Sequence, residues 1–144
     1  GVAPYWNARF GLYRGGMTPA VEPPDFAGWA YDSTNWPAGS NAWPDFVEKR
    51  AAFTPHPGVG PWKPITSTEH EDLGYNRRIV TVPVLGPGNK VIDFACMFIL
   101  EPMLHPLDPV FLEFLGNAGS PGVPCTTNGM AGALAGPQVP VLVR

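Results

Sequence analysis

The sequence predicts a mainly β fold: a sandwich or open barrel of short antiparallel strands, long Pro/Gly-rich loops and one short helix at about 44–53. Three observations lead there. First, the 144 residues include 19 Pro and 17 Gly, one residue in four, interspersed with Trp, Phe and Val, as expected where many turns separate short apolar segments. Second, two β-branched and aromatic runs, Arg78–Leu85 and Val91–Leu100, flank the turn signal Gly86-Pro87-Gly88-Asn89. Third, no fixed-period repeat is present, so a solenoid or propeller is not expected. At this length the chain reads as a single exported domain, 1–144, with an irregular aromatic and Pro-rich part (1–76) and a strand-rich core (77–144).

In chain order, Tyr5–Tyr13 is open to either a short helix or a strand and ends at Gly15-Gly16. Asp25–Tyr31 alternates imperfectly around Gly28, which suits a bulged edge strand. The helix follows. Pro44 suits a first helical position, Asp45 suits the positive helix end, and Phe46, Val47, Ala51 and Phe53 approximate one apolar face before Pro55. His56–Lys63 is expected to be a Pro/Gly loop and Thr66–Asp72 a polar loop. Arg78–Leu85 reads as an edge strand, because Pro83 has no amide donor. In Val91–Leu100 only Asp93 is polar, so this strand is expected to be buried on both faces. Phe111–Leu115 gives a further strand ending at Gly116-Asn117. A long loop from 116 to 137 and a terminal strand, Val139–Arg144, complete the expectation.

Charged residues make up 15% of the chain, against about 25% in ordinary domains, and the net charge is −3. The nine Lys and Arg are scattered, with Arg77-Arg78 the densest group, so no phosphate-neutralising patch exists and nucleic acid is not an expected partner. The two cysteines, Cys96 and Cys125, form no CxxC or CxxCH pattern, which leaves zinc ribbons, thioredoxin-type sites and haem attachment without support. They are either two buried thiols or a disulfide closing a loop of about 30 residues, worth on the order of 3 kcal/mol. The disulfide is favoured, because Cys125 lies in a Pro/Gly/Thr loop where a free thiol would be a liability. It implies an oxidising compartment. Gly1 stands where an initiator Met would be, and neither a signal sequence nor a membrane-spanning run follows. The expectation is a processed or trimmed chain whose anchor lies outside it.

No catalytic constellation stands out, and no enzyme, cofactor or metal is expected. The chain has no GxSxG, Walker A, GxGxxG-before-helix or HExxH motif. Thr68-Glu69-His70-Glu71-Asp72 could offer metal ligands, but adjacent side chains in a loop converge poorly on one ion. His56 in Pro55-His56-Pro57 and His105 in Leu104-His105-Pro106 read as turn or surface residues. Glu101, Glu113 and Asp93 could in principle supply a carboxylate pair for an extracellular hydrolase. A Cys/His nucleophile is conceivable, but Cys96 falls in the most apolar strand, where a thiol is inert. Trp6, Trp29, Trp36, Trp43 and Trp62 crowd the first part. They are either core filler for a region poor in Leu and Ile, or a stacking platform for sugar or a subunit interface.

Asp25–Tyr31, Asn35-Trp36-Pro37, Asn41–Phe46 with Lys49-Arg50, Arg77–Val84, Phe94–Leu100, Pro124-Cys125 and Gly136–Val143, in that order, resemble the downstream part of TadG-type (TadE/G-like) proteins of tight-adherence (Flp) pilus systems. The resemblance spans most of the chain. It implies an amino-terminal membrane helix absent from this chain, followed by an exported region that acts in pilus assembly or as a minor component, and it brings no catalytic residues. The expected function is therefore a non-enzymatic extracytoplasmic structural component of a bacterial surface filament. It would sit at the cell surface or in the periplasm and contact other subunits or itself through Ile79, Val82, Val141, Val143 and the five tryptophans. The membrane would enter only through the absent segment. The alternative is a carbohydrate- or surface-binding module using exposed tryptophans.

Overall fold

The computed structural model describes residues 1–25, 31, 42–49, 56–73, 77–105 and 109–125. The fold is mainly β, with two antiparallel sheets, one of two strands and one of three, and short helices between them. The elements are α1 (Ala3–Ala8), β1 (Leu12–Tyr13), α2 (Ala42–Lys49), β2 (Lys63–Pro64), α3 (Ser67–Leu73), β3 (Ile79–Leu85), β4 (Val91–Ile99) and β5 (Leu112–Asn117). The chain divides into two compact units. One comprises Gly1–Arg78 with Ile99–Glu113, the other Ile79–Phe98 with Phe114–Arg144.

In the first unit, Pro4 in the opening turn starts α1, and its fixed φ suits a position whose amide would have no helical partner. Gly11 then turns the chain at φ 68°. A side chain there would be strained and would press on Ile65 Cγ1, 3.0 Å from the Cβ position. This turn lets β1 pair antiparallel with β2, Leu12 opposite Pro64 and Tyr13 opposite Lys63, while Ile65 N donates to Gly11 O at 2.9 Å. Ala8, Phe10, Leu12, Tyr13, Phe46, Trp62 and Ile65 are buried. Tyr5–Tyr13, left open between helix and strand, thus contains part of both.

The helix expected at about 44–53 is α2 over its described part. It begins two residues earlier, at Ala42, and Pro44 sits within its first turn. Ala42 and Phe46 form its buried face, and Asp45 and Lys49 pair at 2.8 Å one turn apart. Val47 is exposed, contrary to expectation, because it lies about 100° around the helix from Phe46. Ala51 and Phe53 lie outside the described residues.

Thr66–Asp72 is not a loop. Ser67–Leu73 is helical, started by a capping box: Glu69 N donates to Thr66 Oγ1 at 3.3 Å, and Thr66 N donates to Glu69 Oε2 at 2.9 Å. The Thr-x-x-Glu spacing signals a helix start, and it was submerged here by the polar composition of the segment.

In the second unit, β3 and β4 form a hairpin, with Ile79 opposite Phe98, Thr81 opposite Cys96 and Pro83 opposite Phe94. Strand order is β3-β4-β5, so among the described strands β3 has one neighbour. Ile99 N donates to Arg78 O at 2.8 Å, which makes 78 and 99 a hydrogen-bonded pair. By alternation Val80, Val82 and Val84 point their backbone groups at β4, whereas Ile79, Thr81 and Pro83 point theirs away. Pro83 therefore sits where its missing N–H costs the ladder nothing. The register slips between Val84 and Leu85 and leaves Ile92 as the extra residue of a bulge before the Pro87–Asn89 turn. Cys96 and Cys125 form a disulfide with Cα atoms 5.6 Å apart, tying the middle of β4 to the segment after β5. The expectation that β4 is buried on both faces fails at its start. Cys96, Phe98 and Ile99 are buried, but Val91 and Ile92 at the hairpin tip are not. Apolar composition alone does not distinguish a strand that is covered from one that leaves its cover.

The bulged strand expected at Asp25–Tyr31 lies largely outside the described residues, as do the terminal strand Val139–Arg144 and the end of the 116–137 loop.

Candidate functional site

The β3–β4 hairpin ends in an apolar tip. Val84 is 38% exposed, Leu85 55%, Val91 52% and Ile92 65%. Leu85 and Val91 are cross-strand partners, and Ile92 is the bulged residue. The tip is tight. A Cβ added to Gly86 would lie 2.7 Å from Ile92 Cγ2, so Gly86 lets the isoleucine lie across the turn, and Gly86 N closes the hairpin on Lys90 O at 2.8 Å. On β5 of the same unit Phe114 is 59% exposed. Four aliphatic side chains around one turn make a surface that gains by being covered, and the Cys96–Cys125 disulfide fixes the middle of β4.

Of the residues expected at an interface, Ile79 and Val82 are half-buried on β3. Trp29, Trp36, Val141 and Val143 lie outside the described residues. Trp62 is 2% exposed and is removed from any docking surface. Its indole donates to Leu104 O at 3.1 Å, because a buried indole N–H must find an acceptor. Trp6 is half-buried and donates to Glu101 O at 2.9 Å. Trp43 stacks on Phe46, with centroids 5.8 Å apart. The neighbouring Asn7, fully buried, accepts from Met103 N at 2.6 Å and donates to Met103 O at 2.7 Å. Trp6, Asn7 and Trp62 thus hold the backbone of 101–104 much as a neighbouring strand would.

Among the described residues the polar candidates fall in separate places, except Glu101 and His56, which line one cleft. Asp93 accepts from Asn117 Nδ2 at 2.9 Å. Glu113 is buried and accepts from Trp43 N at 3.1 Å; burial raises its carboxyl above the usual range, against the opposing pull of that amide. Glu101 and His56 line a cleft of about 250 Å³ with Tyr31 and Phe111. His70 is buried on α3, and among the described residues no group of three or more His, Cys, Asp or Glu is placed to hold a metal. Cys96 and Cys125 are joined to each other.

One buried polar residue stands where the sequence predicts only the start of an edge strand. Arg78 is fully buried. Its Nε donates to Ile99 O at 2.8 Å and its Nη2 to Leu100 O at 3.0 Å, while the guanidinium lies 4.0 Å from the Phe10 centroid and 5.2 Å from that of Phe46. Asp25, also buried, accepts from Arg77 N at 2.8 Å and Arg78 N at 3.2 Å through one oxygen. Burial pulls the Arg78 pKa down to about 9, and the nearby Asp25 charge resists the shift. The group remains cationic at neutral pH. It closes the core by giving donors to carbonyls at the end of β4. In sequence, the available signal was the arginine pair Arg77-Arg78 standing directly before an apolar run.

Among the described residues no helix is long and apolar enough to cross a membrane. Comparison with family models, with curated proteins and with solved structures finds no match to this chain.

Proposed function

We propose that the chain is a non-enzymatic structural component of a bacterial surface filament, working outside the cytoplasm through contacts between subunits. The observation that carries this reading is the β3–β4 tip, where Val84, Leu85, Val91 and Ile92 stand in solvent on a turn held by Gly86 and a bulge. Large aliphatic residues concentrated on an exposed turn are the chemistry of a surface that seats in an apolar recess of a neighbour. The Cys96–Cys125 disulfide supports an oxidising compartment, and the order of segments shared with TadG-type proteins supports a pilus system. Docking proceeds by side chains more than by strand addition. An added strand along β3 would meet Pro83, which offers no amide on the outward-facing row.

The test is association of the purified chain, followed by sedimentation velocity and negative-stain imaging. The parent is expected to self-associate with concentration. Leu85→Lys with Ile92→Asp is expected to remain monomeric with the disulfide and circular dichroism unchanged. Identical association of parent and double variant, or a parent that stays monomeric at the highest attainable concentration, would remove the tip from this role.

A further inference from the structure

A second feature, independent of the hairpin tip, lies in the first unit. A cleft of about 250 Å³ opens among Val2, Arg14, Trp62, Met103, Leu104 and His105. Its walls are fixed: Trp62 by its bond to Leu104 O, and Met103 by the paired bonds with Asn7. Arg14 is exposed, and its guanidinium lies 4.3 Å from the centroid of the Trp62 ring. A guanidinium over an indole face is held there by the ring's electron density, and its N–H groups can still donate away from the ring. Among the described residues Arg14 has no carboxylate within ion-pair distance. The cleft thus joins mainly apolar walls to the Arg14 guanidinium, with Gly1 and His105 also in its lining and no acidic side chain.

We propose that this cleft binds a carboxylate carried on a small apolar body, with the carboxylate taken by the Arg14 fork and the apolar part seated against Val2, Met103 and Leu104. A planar monoanion matches one guanidinium in charge and geometry, whereas a dianionic phosphate would call for further fixed cations. The volume is below the roughly 300–1,000 Å³ of sites for drug-sized ligands, and it suits a single residue or a small acid. Two sources share this chemistry: the carboxyl terminus of a peptide ending in an aliphatic residue, and a free short acid.

The experiment is a titration of the full chain followed by ¹H–¹⁵N spectra, using N-acetyl-valine, its amide, isobutyl phosphate, and a five-residue peptide ending in valine with a free or amidated terminus. The acid is expected to move the Trp62 indole and Arg14 side-chain signals saturably, the amide about tenfold more weakly, and Arg14→Gln to weaken acid binding about tenfold. Arg14 is exposed, so the variant is expected to fold, and the shift of the Trp62 indole N–H reports that its bond to Leu104 persists. If the peptide binds more tightly than the free acid, the source is a chain terminus; equal affinity points to the small acid. Both outcomes uphold the site. Acid and amide binding alike, phosphate binding more tightly than the acid, Arg14→Gln leaving affinity unchanged, or no shift at Trp62 would each overturn it.

Discussion

At the scale of single residues, the first unit depends on polar side chains that replace missing strand partners. Arg78 is the strongest case: its two side-chain bonds satisfy Ile99 O and Leu100 O, and its charge lies over Phe10. Arg78→Met keeps most of the volume but strips the guanidinium donors from Ile99 O and Leu100 O and removes a cation from beside Asp25. A loss of about 3–5 kcal/mol is expected in urea unfolding. Asn7→Leu removes both bonds to Met103 and is expected to cost about 2–4 kcal/mol. Glu113 gives a pH-dependent case. Its folded pKa is raised, so between the ordinary glutamate value and that raised value the folded chain binds more protons than the unfolded one. Stability therefore falls as pH rises through that window and levels off above it. Glu113→Gln keeps an acceptor for Trp43 N and cannot ionise. Its denaturation midpoint, followed from about pH 3.5 to 7, is expected to gain on the parent across that window. A constant gap between the two curves would show that Glu113 does not carry the effect.

At the scale of elements, local chemistry decides where each one starts and which parts are covered. α3 rests on the Thr66–Glu69 box. Thr66→Ala is expected to cost about 1 kcal/mol and to raise amide exchange in Ser67–Leu73. The β3–β4 hairpin was legible in sequence because its two apolar runs flank a Gly-Pro-Gly-Asn turn and because Pro83 marks an edge. The bulge at Ile92 was not legible: a one-residue slip changes no residue type, and it appears only when the two strands are set in register. α2 was legible from Pro44, Asp45 and the apolar spacing that begins at Phe46, but its buried face was misplaced. Phe46 and Val47 are both apolar, and only packing reveals that Ala42 is the residue sharing Phe46's side.

At the scale of the whole molecule, the division into two units follows contacts distant in sequence. The change of texture near residue 77 falls close to the boundary after Arg78, yet nothing in the composition marks Ile99–Glu113 as belonging with the first unit. That membership depends on Trp6, Asn7, Trp62 and Arg78 reaching carbonyls between 99 and 104, bonds that span 21 to 96 positions of sequence. The disulfide belongs to the second unit and constrains its unfolded chain, for about 3–4 kcal/mol by loop entropy. Cys96→Ala with Cys125→Ala is expected to lower the unfolding free energy by about that amount, with amide exchange rising first in Ile79–Phe98. Faster exchange confined to residues 1–78 would contradict this assignment.

Periodicity, turn residues and cysteine placement were enough to predict a mainly β chain and two strands flanking a turn, and to favour the pairing of Cys96 with Cys125, because these depend on neighbours in sequence or on residue chemistry that few alternatives satisfy. Whether Trp62 meets solvent or a carbonyl, whether Arg78 is surface or core, and whether Ile92 is covered or bare were settled by three-dimensional packing. Each depends on which distant backbone groups need a donor and which apolar surface finds cover. Residue type does not encode those quantities until the chain is closed on itself.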